Sequence, residues 1–219
     1  MANHCWNYAV FSGEESKLKQ LIASLGKARA EFIEKERDLY DQSVWIYALN
    51  GHIVLGLAPP KENSDGSYDI DSYEAYGSKW FDCHWSVGEQ DGKIVSVDLQ
   101  GDSAWSPMLP LFEKICKRMK LSCYGNYEES GMDFAGEFEY DSNGEVSHVQ
   151  MTYREYQAEN NPDWFWENMV ENIEEGYFDT FEDVCTEFAV CKWQLTEREK
   201  VELKEIHDKW LKDTDDKAV

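Results

Sequence analysis

Trp6-Asn7-Tyr8-Ala9-Val10-Phe11-Ser12-Gly13-Glu14-Glu15 carries a strand pattern directly into a helix start. Trp6 to Phe11 is an aromatic and β-branched run suited to a strand. Ser12 and Glu15 have the S-x-x-E spacing of a capping box, in which each side chain satisfies the other's backbone N–H. Leu18, Leu21, Ile22 and Leu25 follow at helical spacing, with Gly26 a point of interruption and Ala30, Ile33 and Leu39 available for a second helical piece. Working outward, Val44–Leu49 and His52–Leu57 flank Asn50-Gly51, a pair suited to the positive φ of a hairpin turn. Ala58 to Asp71 reads as a loop. Asp82–Val87 and Lys93–Leu99 read as strands, and Pro107 opens a helix with Met108, Leu111, Ile115 and Met119 on one stripe.

Leu121–Tyr127, Phe134–Tyr140 and Val146–Tyr153 are further strand runs, the last two joined around Asn143-Gly144. From Pro162 the pattern turns helical, with pieces at 162–175, 180–191 and 196–212. The last of these mixes Lys and Glu along an ordinary solvated face. Without the 44–57 hairpin, the first 127 residues have the order βαββαβ. The expected class is therefore α+β: a ferredoxin-like split βαβ sandwich with an inserted hairpin and an acidic helical C-terminal extension. The expected division is 1–153 for the sandwich and 154–219 for the extension.

The chain has 219 residues, with 44 Asp+Glu against 21 Lys+Arg and a formal net charge of −23. At 42% hydrophobic and 14% aromatic it is far too apolar to be an acidic disordered chain. The charge argues against wrapping nucleic acid or binding anionic lipid, since a phosphate-binding surface needs Lys and Arg. It is also uneven. From Tyr124 to Cys191 there are 18 acids and one base, Arg154, a balance of −17 that leaves −6 for the rest.

The six cysteines form no C-x-x-C, and the start of the sequence lacks the basic-then-apolar order of a signal peptide, so reduced thiols and a cytoplasmic location are expected. The uncharged stretch from Ser43 to Pro60 is broken by Asn50-Gly51-His52 and Pro59-Pro60, which argues against a membrane helix. His4-Cys5, Cys83-His84 and the Cys185/Cys191 pair lack structural zinc spacing, and Asp65, Asp69 and Asp71 lack the glycine and terminal glutamate of a calcium loop. No nucleophile elbow, P-loop or dinucleotide fingerprint is present, so no metal, cofactor or catalytic residue is assigned. Cys83, or the pair Glu137 and Glu139 on one strand face, would be the starting point for a hydrolase reading.

Met1-Ala2-Asn3-His4-Cys5-Trp6-Asn7, Gly77-Ser78-Lys79-Trp80, Ala104-Trp105-Ser106-Pro107 and Gly131-Met132-Asp133-Phe134-Ala135-Gly136-Glu137 stand in the order seen in the YubB-type ferredoxin-like domain family. Residues 1–150 resemble that family, which occurs in phages and plasmids. The resemblance implies a mobile-element accessory protein with a ferredoxin-like fold and no iron–sulfur cluster, and it carries over no catalytic residue. Lys79, Trp105 and Glu137 fall within the shared motifs and are candidates for lining a ligand cleft.

The most informative feature is a series of carboxylates at every fourth residue: Glu155, Glu159, Asp163, Glu167, Glu171, Glu175, Asp179, Asp183 and Glu187. Four helical residues advance about 6 Å, close to phosphate spacing along a nucleic-acid strand. Like charges four apart on a helix cost roughly 0.2–0.5 kcal/mol per pair. The plain alternative is a solvated helix face, because helical geometry itself selects four-residue spacing. The leading expectation is a non-enzymatic phage or plasmid protein whose DNA-mimicking acidic surface binds a basic host protein, nucleic-acid-binding or a defence nuclease. The other readings are a small-ligand binder or enzyme with a cleft near Lys79, Trp105 and Glu137, and a protein–protein adaptor kept soluble by its charge.

Overall fold

The computed structural model describes residues 3–36, 43–47, 51–58, 61, 64 and 71–217. Asn50 of the expected hairpin turn, Asp65 and Asp69, and much of the 58–71 loop lie outside them. The chain divides into two compact units, Met1–Gln150 and Met151–Val219.

In the first unit β1 (His4–Ser12), β3 (Trp80–Gln90), β4 (Lys93–Ala104) and β5 (Ser122–Glu129) pair antiparallel in the order β3-β4-β1-β5. Helix α1 (Glu15–Glu36) joins β1 to β3's side of the sheet, the short α3 (Ser72–Tyr76) leads into β3, and α4 (Leu109–Met119) joins β4 to β5. This is the split βαβ arrangement of a ferredoxin-like domain. Strand β2 (Ser43–Tyr47) extends the sheet beyond β3, while β6 (Phe134–Asp141) and β7 (Gly144–Met151) extend it beyond β5, giving seven strands.

Period-two alternation decides what each face does. Cys5, Asn7, Ala9 and Phe11 of β1 are buried, and they align with Ser103, Gly101, Leu99 and Val97 of β4 and, from Asn7 onward, with Tyr127, Gly125 and Cys123 of β5. Leu18, Leu21 and Leu25 of α1 and Leu111, Phe112 and Ile115 of α4 complete this core, with Phe112 stacked on Phe138 and edge-on to Phe11 and Phe81. The other face carries Trp6, Tyr8, Tyr124, Asn126, Glu137 and Glu139.

Three local expectations for the sheet unit are corrected. The second half of the inserted hairpin is helix α2 (Gly51–Leu55), which packs against α1 and α4. A Cβ at Gly51 would come within 2.5 Å of the Tyr76 ring, so the glycine serves close packing rather than a turn. Gly56, at φ +62, then closes α2: its own N–H donates to Ile53 O and the Leu57 N–H donates to His52 O. Ser12 does not cap α1, because it remains paired in β1; Glu15 instead meets Lys19 at 2.8 Å and accepts from the Ile94 N–H. Helix α1 also runs unbroken through Gly26, which is exposed and has open space around it.

The second unit holds α5 (Tyr153–Asn160), α6 (Pro162–Glu174), α7 (Phe181–Val190) and α8 (Glu197–Lys217). Tyr153 starts a helix instead of ending β7, because Thr152 is its N-cap. Phe165, Met169, Ile173, Val184, Phe188 and Leu203 form a separate core, onto which Trp166 and Trp193 pack. No helix among the described residues is long and apolar enough to cross a membrane.

Candidate functional site

The nine carboxylates of the four-residue series separate into two groups. Glu155 and Asp183 sit at the third helical position of α5 and α7, where each completes a capping box with Thr152 and Thr180. Glu155 also meets Lys192 at 3.0 Å. The Thr152 N–H, followed by Lys192, holds its carboxyl below the usual carboxylate range. Glu187 pairs with Arg154. Asp183 thus caps its own helix, while Glu155 and Glu187 also tie α5 to residues of and after α7.

Glu159, Asp163, Glu167, Glu171, Glu175 and Asp179 are exposed, and among the described residues none of them forms an ion pair. Asp163, Glu167 and Glu171 lie along α6 at steps of about 6 Å. Glu174 and Glu182, outside the series, are exposed as well. Only two cations, Arg154 and Lys192, occur between Met151 and Thr196, and both are engaged with Glu187 and Glu155.

The capping boxes at Thr152 and Thr180, and the equivalent bonds between Thr196 and Glu199, follow the T-x-x-E/D spacing. That signal was legible in the sequence and separates carboxylates that cap from those that do not.

Lys79, Trp105 and Glu137 do not converge. Lys79 and Trp105 are exposed at the end of the sheet where β3 begins and β4 ends. Glu137 aligns through Asn126 and Tyr8 with Gln100, three strands from β4 and five residues from Trp105; strand spacings put that at roughly 20 Å.

The motif residues around Lys79 and Trp105 build a buried hydrogen-bond network. Asn7 Nδ2 donates to Cys5 O (2.7 Å) and Ser103 Oγ (2.8 Å), while Asn7 Oδ1 accepts from the Met108 N–H at the start of α4 (2.9 Å). Ser78 Oγ donates to Ala104 O (2.6 Å) and Ser106 Oγ to Gly77 O (2.5 Å). Further along, the buried Glu129 carboxylate accepts from the Gly131 and Met132 N–H groups. Gly136 leaves room for the Tyr127 hydroxyl, which hydrogen-bonds His148 Nε2 at 2.7 Å. These motifs position strand ends and turns.

Glu137 and Glu139 instead border a groove of about 370 Å³ with Tyr8, Tyr124, Asn126, Ser147 and Val149. Cys83 is sealed in the core and burial pushes its thiol well up; burial likewise pushes Cys5 to about 12. Neither supplies a thiolate nucleophile. Among the described residues no three His, Cys, Asp or Glu side chains are grouped to hold a metal ion.

Fold and side chains together define an α+β protein with a ferredoxin-like sheet unit and an acidic helical unit. Residues 80–167 match the family model for the ferredoxin-like domain in Api92-like protein, a span from β3 into α6. The crystal structure of a protein api92 from Yersinia pseudotuberculosis is 11% identical, with 69% of this chain and 98% of that one covered at a TM-score of 0.37. No curated protein matches the sequence.

Proposed function

We propose that the chain is a non-enzymatic accessory protein of a phage or plasmid. Its helical unit offers carboxylates to the basic groove of a host nucleic-acid-binding protein, a defence nuclease being the class such a surface suits. The observation that carries this reading is where the free acids stand. Glu159 lies in the last turn of α5, and Glu171, Glu174 and Glu175 crowd the C-terminal end of α6, which has no basic residue in its last turn. A helix C-terminus favours cations, by about 0.3–1 kcal/mol each when exposed. The pairs Asp163/Glu167, Glu167/Glu171 and Glu171/Glu175 add repulsion of roughly 0.2–0.5 kcal/mol apiece. Helix stability alone selects against this arrangement, and a basic partner would neutralise it.

The test is affinity capture from host lysate at 50 mM and 500 mM salt, with double-stranded oligonucleotide as competitor. The reading expects a basic nucleic-acid-binding protein retained at low salt and released by either the duplex or high salt. Retention unaffected by both would point to an apolar adaptor surface and contradict it.

A further inference from the structure

The sheet face opposite the core has a groove lined by residues of β1, β5, β6 and β7. The register places Tyr8, Asn126 and Glu137 in one cross-strand row and Tyr124 opposite Glu139 in the next, with adjacent strands about 5 Å apart. Ser147 and Val149 of β7 close its outer side, and the whole encloses about 370 Å³, the small end of the range for ligand pockets. No Lys or Arg lines it, and among the described residues neither Glu137 nor Glu139 has an ion-pair partner. Tyr124 is 56% exposed, so its ring is available for stacking.

We infer that this groove receives the arginine side chain of an extended peptide segment that aligns along β7. Two carboxylates two residues apart on one strand face have Cα atoms about 7 Å apart. A guanidinium fits between them: its planar fork has five donors, it stacks on aromatic rings, and it sheds water more readily than an ammonium does. The peptide form follows from β7, the last strand of the described sheet, whose residues Glu145–Gln150 are all exposed. Within the sheet unit its outer edge has no strand partner among the described residues and offers main-chain groups to an added strand, while Ser147 and Val149 border the groove. A free amino acid would bring its own carboxylate against Glu137 and Glu139.

The experiment is a ¹⁵N NMR titration of the full chain with a capped five-residue peptide of threonine and valine around a central arginine. Parallel titrations use the same peptide with lysine, and free agmatine. The expected result is shifts at the Tyr124, Glu137, Glu139, Ser147 and Val149 amides, with affinity about tenfold weaker for the lysine peptide. The E137Q/E139Q variant should also lose about tenfold, the equivalent of one charge-assisted hydrogen bond. Both positions are exposed, so the variant's own spectrum verifies its fold. Absence of shifts at those amides, equal binding of the lysine peptide, unchanged affinity of the variant, or tighter binding of agmatine would each overturn the assignment.

Discussion

Replacing Glu171 by lysine should stabilise the helical unit. Glu171 stands four residues from both Glu167 and Glu175, and its backbone carbonyl accepts from the Glu175 N–H at the end of α6. The substitution removes two like-charge contacts of about 0.2–0.5 kcal/mol each and turns them into attractions of similar size. It also places a cation at a helix C-terminus, worth about 0.3–1 kcal/mol at an exposed site. The expected gain is about 1–3 kcal/mol at low salt. For a unit of this size that corresponds to a rise of roughly 4–24 °C in its thermal midpoint. Circular dichroism melts at 20 mM and 500 mM salt would measure it, and most of the gain should vanish at the higher salt because these charges are exposed. A loss of stability would mean that Glu171 serves the fold, and a gain indifferent to salt would mean that charge repulsion is not what the substitution relieves. Either result would remove the electrostatic ground for reading Glu171 as a binding residue.

Other expectations concern the parts assigned to architecture and to the thiols. Asn7→Ala should cost about 3–5 kcal/mol in urea unfolding, since it removes two buried bonds and orphans the Met108 N–H. Lys79→Ala, exposed in the same motif set, should stay within about 0.5 kcal/mol. Glu155→Gln keeps the capping geometry but loses the charge facing Lys192, at about 0.5–1 kcal/mol at pH 7. Because the folded carboxyl sits below its unfolded value, that contribution is present above about pH 4.3 and fades as the pH falls through the folded value. Stability curves of wild type and variant should converge in acid. Thiol labelling of the native protein at pH 8 should reach Cys185 first, because Cys5, Cys83, Cys116, Cys123 and Cys191 are buried. Rapid labelling of Cys83 would refute its placement in the core.

Where side-chain periodicity decides the element, the sequence was readable. The alternation in β1 and β4 and the apolar stripe of α4 placed the βαββαβ frame, and the breaks at Pro162 and Gly176 placed α6. Where an apolar run is only five residues long, periodicity cannot separate strand from helix. Gly51–Leu55 became a helix because Tyr76 packs over Gly51 and Gly56 closes the turn, contacts that come from distant parts of the chain. The four-residue carboxylate rule found the exposed acids but also swept in Glu155 and Asp183, whose role was written in the threonines three residues before them. Lys79, Trp105 and Glu137 looked like one cluster because they share motifs, yet strand order sets Glu137 apart, beside Tyr124 and Glu139.

The most direct measurement of the central claim is capture of a salt-sensitive, nucleic-acid-binding partner by wild type and by the variant E159K/E167K/E171K/D179K, whose fold is checked by its melt. The account predicts that the variant melts at or above the wild-type temperature and no longer retains the partner. Undiminished retention by this folded variant would contradict it.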